Sequence, residues 1–400
     1  MDSSVRPGRL RALGAKAASF LWHPLWGSLF VIALAVVTLV ALQITPGVPS
    51  QFRPYTRYKH SRAESFLSRA VQAHESGDLH GARLAIDSSL AMNPRFVRAR
   101  IEAARLSVDE NHLDEAAMQA TLIGMDGTGF VHDALFYNGR FDDLLAYCAK
   151  QVTTGSDTRE GVWLQSALML APLTADKTRA DIARTLISCP RPGARLLEAI
   201  FLSVDKQADA VAAKLSERAS LPGFDAAGTL LGVELLMQCD DPARAWVWLQ
   251  RHRPNLTDFD ARCGDYRIES ARDPSLALRI LESFPQLPMT DARWVRLTAL
   301  VASRGGPDAA LRVCQLLADS HPRPSTTLSV SAWALLLLNH QNSEAQTWEQ
   351  NYRRAGGAEL PVLAGRKLAD TDPKSRSQAV RLLSSSAPLP REMISALLLR

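Results

Sequence analysis

Aromatic residues make up only 6% of this 400-residue chain, and there are five cysteines. Runs rich in Val, Ile, Thr, Tyr and Phe are scarce, which leaves little material for a sheet. Cys148, Cys189, Cys239, Cys263 and Cys314 are scattered, and no C-x-x-C pair occurs. That spacing excludes a zinc ribbon and the disulfide framework of a small secreted domain, so the thiols read as buried small hydrophobes. H-E-x-x-H, a phosphate-cradling glycine loop and G-x-S-x-G are all missing, and no motif nominates a catalytic centre or a cofactor site.

Charge of one sign is lacking too, once its distribution is considered. The chain carries +5 overall, but residues 1–62 hold eight Lys and Arg against Asp2, a net of +7, which leaves −2 for the remainder. A nearly neutral body argues against a nucleic-acid-binding domain, while a basic end suits the flanks of a membrane segment.

What the sequence does contain is helix. Alanine, leucine and arginine dominate, and apolar residues recur at helical spacing, as in "DAALRVCQLLADSH" from Asp308 to His321. The length exceeds that of one compact core, so the expectation is an elongated, repetitive all-α chain.

Residues 25–44, "LWGSLFVIALAVVTLVALQI", carry no charge. Twenty helical residues at about 1.5 Å each match the roughly 30 Å hydrocarbon layer, so the run is expected to be a single transmembrane helix. Trp22 and Trp26 at one border, and Tyr55 and Tyr58 beyond the other, suit headgroup depth. The run is too long for a cleaved signal peptide, and no A-x-A site stands immediately before Thr45. The organisation expected is a basic tail over 1–24, the span over 25–44, a proline-rich basic juxtamembrane linker over 45–62 and a helical body over 63–400. Basic residues balance on the two sides of the span. A short tail that stays in the cytoplasm of a bacterium would place the body outside the inner membrane, in the periplasm, and the cytoplasmic face is the alternative.

The body repeats. In "AESFLSRAVQAHESGDLHGARLAIDSSLAMNP" (63–94), small residues at Ala70 and Ala82 flank a Gly77-Asp78 turn, Leu79 and Ile86 are core candidates, and Pro94 closes the unit. "VRARIEAARLSVDENHLDEAAMQATLIGMD" (97–126) follows in phase, with Ala104 for Ala70 and Ala116 for Ala82. "DPARAWVWL", "DPSLALRIL" and "GPDAALRVC" open later second helices with Ala245, Ala277 and Ala310 at the small position. Weaker second helices put Leu144, Ala210, Glu344 and Ala379 there, and "PREMISALLL" (390–399) reads as a capping helix. Prolines 190, 192, 285 and 288 interrupt the spacing.

These units resemble the tetratricopeptide repeat (TPR), a helix-turn-helix of about 34 residues. The resemblance implies eight to ten hairpins in a right-handed α-solenoid whose concave face is lined by the first helix of each unit. It also implies that Arg98 and Arg105, Arg262 and Tyr266, and Trp333 lie on that face and contact protein or peptide partners. Arg98 and Arg105 are two helical turns apart and suit a carboxylate or an acidic peptide. A solvated helix face, with Arg105 or Arg98 paired to Glu102, is the plainer reading, and Trp333 in "SVSAWALLLLNH" also reads as core. Members that clamp a terminal carboxylate do so with asparagines; Ser68 and Glu102 stand here instead, which excludes that ligand.

Two clusters invite a metal reading. "TDFDARCGDYRIESARD" places Asp258, Asp260, Asp265 and Glu269 near Cys263, yet the spacing matches no ligand pattern and fits a solvated helix. His74 and His80 lack the i, i+4 relation of a helical metal pair and read as exposed turn residues. The functional expectation is a non-catalytic, membrane-anchored scaffold for an envelope assembly such as secretion, polysaccharide export or wall synthesis. A cytoplasmic-face adaptor delivering a client to a membrane protease or synthase is the alternative, and an enzyme subunit the remote one.

Overall fold

The structure, a computed structural model, describes residues 24–44, 54–154, 160–221, 223–321, 324–368, 375 and 379. The basic tail up to residue 23, Thr45 to Arg53 and the "PREMISALLL" segment lie outside the described residues. All regular structure described is helical. The chain forms two compact units, Met1–Ala134 and Leu135–Arg400.

The first unit holds α1 (Pro24–Ile44), α2 (Pro54–Glu75), α3 (Leu79–Met92), α4 (Val97–Asp109) and α5 (Leu113–Thr121), and α6 (Gly127–Tyr137) begins in it. α1 covers the expected span. The longest unbroken stretch of its described side chains, 31–43, is about 20 Å long. Among the described residues no helix is long and apolar enough to cross a membrane. α2 begins at Pro54, so the second half of the expected linker is helical; proline suits the first helical position because its missing N–H has no acceptor there anyway.

α2 and α3 form the first hairpin. Ala70, Ala82 and Ile86 are buried together with Ala103 and Leu106 of α4, and Leu79 packs on their edge. The small side chains at 70 and 82 let two helices approach closely. Ser89 Oγ donates to the Ala63 carbonyl at 2.7 Å, tying the end of α3 to the body of α2.

The second unit continues with α7 (Phe141–Thr154), α8 (Glu160–Leu170), α9 (Asp176–Leu186), α10 (Pro192–Val204) and α11 (Ala208–Ala219). After these come α12 (Ala226–Gln238), α13 (Pro242–His252), α14 (Asp258–Arg272), α15 (Pro274–Glu282), α16 (Asp291–Arg304), α17 (Pro307–Ser320), α18 (Thr326–Leu338), α19 (Asn342–Arg354) and α20 (Glu359–Leu368). The disturbing prolines have defined places: Pro192 opens α10, and Pro285 sits in a 3-10 turn that ends α15.

One turn recurs in both units. Gly77, Asn111, Gly139, Lys206, Asp240 and His340 have φ between 53° and 83°, in the left-handed region. At each, the next residue's N–H bonds back five residues, as in His112 to Ser107, Gln207 to Leu202 and Gln341 to Leu336. This is the Schellman closure of a helix, here followed at once by a second helix. Gly77 to Asn111 and Lys206 to Asp240 are each one 34-residue repeat.

Five residues past each left-handed residue lies a buried side chain: Ala82, Ala116, Leu144, Val211, Ala245 and Ala345, none more than 2% exposed. The expected positions therefore hold at Ala82, Ala116, Leu144 and Ala245, while Ala210 and Glu344 are each off by one. Both are half-buried, because the turn puts Val211 and Ala345 on the inward line. Ala277, Ala310 and Ala379 are buried as expected.

Candidate partner-binding surface

A repeat protein exposes whatever its first helices do not spend on neighbouring hairpins, so the site is built by asking which side chains are used up. α4 carries Arg98 and Arg105. Both are exposed, and Arg105 alone of the two has an ion pair among the described residues, with Glu102 at 3.4 Å.

Glu102 itself is buried and committed elsewhere. His74 Nδ1 lies 2.7 Å from Glu102 Oε1, and its Nε2 lies 2.7 Å from Asp109 Oδ2. Burial by itself lowers the His74 pKa, but hydrogen bonds and charge from Glu102 and Asp109 outweigh it and raise the pKa above its ordinary value. His74 is thus a half-buried clamp between α2 and α4, not an exposed turn residue as expected. His80 is exposed.

Arg83 on α3 is similarly occupied. Its guanidinium reaches Glu110 and, at 2.7 Å, Glu115 Oε1, joining the first hairpin to the second. With these neighbours fully engaged, Arg98 and Arg105 are left as two cationic forks along one helix face.

The other three expected contact residues are placed differently. Tyr266 is 1% exposed and Trp333 is 6% exposed, so both belong to the core and not to a free surface. The reason is the crossing of hairpins: the Tyr266 hydroxyl lies under the α16–α17 turn, where a Cβ on Gly305 would come within 2.9 Å of it. Burial pushes the Tyr266 pKa up to about 12. Trp333 sits in α18, where ten residues from Leu328 to Leu338 are buried. Arg262 donates to the Ser283 carbonyl at the end of α15 and so serves as a helix stop.

The residue on α14 that matters electrostatically is Arg267. It is buried, and its guanidinium forks onto Glu234 of α12, with Nη2 to Oε1 at 3.2 Å. Arg304 of α16 joins the same carboxylate. Three successive first helices are stitched together this way. Burial opposes ionisation of Glu234, yet the two guanidiniums hold its carboxyl below the usual range. The spacing of Glu234 and Arg267, 33 residues, is close to one repeat and is the signal that could have found the pair.

Three of the four acids in the α14 cluster are taken up in cation pairs, and Asp258 is exposed. Asp260 accepts from Arg296 at 2.8 Å, Asp265 from both ends of Arg253 at 2.9 and 3.1 Å, and Glu269 from Arg272 at 3.1 Å. Among the described residues no group of three His, Cys, Asp or Glu could hold a metal ion. None of the five cysteines is in a disulfide; four are buried and Cys189 is half-buried. Burial pushes Cys263 up to about 12 and Cys314 higher still, so these thiols stay protonated.

Helical hairpins closed by the same left-handed turn, with side-chain clamps at about one repeat's separation, define an all-α helical repeat protein. No protein-family model matches the chain. No characterised protein matches it in sequence either. Among solved structures it is similar to a tetratricopeptide repeat protein from Parabacteroides merdae, at 12% identity and a TM-score of 0.31, over 58% of this chain and 95% of that one. It is also similar to the TPR domain of P58(IPK), at 16% identity and a TM-score of 0.19, over 90% of this chain and 97% of that domain. At such scores neither carries an argument, and the repeat rests on the spacing of this chain's own turns.

Proposed function

We propose that the protein is a non-catalytic scaffold that binds protein partners through the exposed face of its first helices, with an acidic segment of the partner meeting Arg98 and Arg105. The observation that carries the reading is that these two arginines stay exposed on α4 while Glu102, His74 and Arg83 beside them are consumed by inter-hairpin contacts. A bidentate guanidinium–carboxylate contact is charge-assisted and directional, so two such forks on one face favour an acidic strand or helix. Crosslinking of the full chain in cells, followed by identification of captured proteins, tests it. Partners enriched in acidic segments, lost on charge reversal at Arg98 and Arg105, are the expected result.

The same proposal includes α1 as a single-pass membrane anchor that holds the scaffold at the inner membrane, its helical body extracytoplasmic, in an envelope-associated assembly. Support comes from the uncharged residues 25–44 and from the described side chains Val31, Ile32, Leu34, Val36, Val37, Leu39, Val40 and Leu42, all exposed. Apolar surface facing outward all round a helix is costly in water. α2 begins beside it with Tyr55 and Lys59 stacked at 4.7 Å, a pairing suited to headgroup depth. Retention in the membrane pellet after carbonate extraction, and a topology reporter fused after Arg400, test the anchor and its orientation separately.

A further inference from the structure

Among the described residues, hairpins cover one flank of α2. Ala63 and Leu67 are buried with Phe96 and Ala99, Val71 packs on their edge, and the His60 ring meets that of Phe96 at 5.2 Å. Turned away from His60 and Val71 lie Tyr55, Lys59, Arg62, Phe66 and Arg69. Their alternating spacing of four and three residues makes one stripe about 21 Å long. No hairpin precedes α2 among the described residues to cover it.

The stripe alternates rings with cations. Lys59 Nζ stands over the Tyr55 ring at 4.7 Å, and the Arg62 and Arg69 guanidiniums stand over Phe66 at 5.2 and 5.8 Å. None of the three cations has an ion pair among the described residues. Glu64 is the single acid between residues 54 and 74, and it pairs with His60 at 3.6 Å, on the covered side.

A stack of hairpins needs a polar face at its end, and cations alone would supply one. The rings do not follow from that need: Tyr55 is 56% exposed, and Tyr58, one turn before Arg62, is 58% exposed. Open rings beside unpaired cations suit a polyanion, either anionic headgroups or a single-stranded nucleic acid. The neighbourhood decides between them. Gln43 Nε2 donates to Thr56 Oγ1 at 3.4 Å, so the foot of the stripe stands at the end of α1, whose large apolar side chains from Val31 to Leu42 are exposed.

We propose that this stripe of α2 lies against anionic phospholipid headgroups, its cations meeting phosphates and its rings entering the interface. The choice of lipid over nucleic acid rests on the reading of α1 as an anchor; the charge and the exposed rings do not.

Acetylation of lysines, read by mass spectrometry, tests the proposal on the full chain reconstituted in nanodiscs of phosphatidylcholine or of an equimolar mixture with phosphatidylglycerol. Lys59 is expected to react several-fold more slowly in the mixed discs, measured against Lys177, which is exposed in the second unit. Replacing both Arg62 and Arg69 by Glu should remove that slowing with the melting temperature unchanged, and so should high salt, which screens exposed charge. Equal reactivity of Lys59 in the two kinds of disc, or slowing that survives the double variant, overturns the proposal. A single-stranded oligonucleotide that slows Lys59 as much in phosphatidylcholine discs as phosphatidylglycerol does overturns the lipid assignment. A chain that enters neither kind of disc defeats the anchor reading instead. Lys59 is then read with phosphatidylglycerol vesicles added to the chain, where unslowed acetylation overturns this proposal too.

Discussion

His74 and Glu102 stand 28 residues apart in the chain and 2.7 Å apart in space. The contact joins the end of α2 to the middle of α4, one hairpin to the next. Because the second ring nitrogen meets Asp109, both nitrogens face carboxylates, and only the imidazolium can donate to both.

The pH dependence follows from that geometry. The folded pKa of His74 is raised above the unfolded value of about 6.5, so its contribution is fully present below that value and is lost as pH rises through the folded pKa. Melting temperature measured from pH 5.5 upward to pH 9 should therefore fall for the parent relative to His74→Gln. A parallel course for the two proteins would show that the clamp adds nothing.

Ala116 and Ala310 are each 0% exposed at the crossing of two helices. Replacing either by Leu inserts three carbons where the helices touch, and overpacking of this kind costs about 1–3 kcal/mol. Thermal or denaturant unfolding checks the cost, and an unchanged midpoint would mean that the helices cross elsewhere.

For Arg98 and Arg105, replacement of both by Glu should lower recovery of an acidic partner several-fold, with helical content and melting temperature held. Arg83→Glu is unsuitable as a control, because Arg83 joins Glu110 and Glu115 and its reversal would set three acids together. Arg251, exposed on α13 in the second unit, serves instead. Equal recovery from the double variant and the Arg251→Glu protein would remove this face from consideration.

The left-handed turn offers a stabilising change. His340 has φ 58°, a conformation that costs a residue with a Cβ about 1 kcal/mol and glycine nothing. His340→Gly should raise the unfolding free energy by about that amount, less the entropy glycine loses on folding. Chemical denaturation measures it, and a loss of stability would show that the imidazole makes a contact worth more than the strain.

Much of this architecture is legible in order along the chain. Helix periodicity, the Gly77-Asp78 turn, the small residues at 70 and 82 and their echo at 104 and 116 are local patterns, and local backbone sterics decide them. The turns at Lys206, Asp240 and His340 were harder to see, because these residues take a conformation that glycine or asparagine ordinarily announces.

The sequence by itself determined the helical class, the hairpin unit and the uncharged stretch at 25–44. Only the tertiary structure decided which side chains remain available. Each residue turns a helix by about 100°, so a one-residue error in phase moves a side chain to another face. That is why Ala345 and not Glu344 faces inward, and why Tyr266 and Trp333 are core. Arg267, five positions after Arg262, holds the buried carboxylate for the same kind of reason: Glu234 lies on a preceding first helix, and no pattern within α14 records where that helix passes. Burial and ion pairing between hairpins depend on how the next unit packs, and that is settled by contacts a full repeat away in sequence.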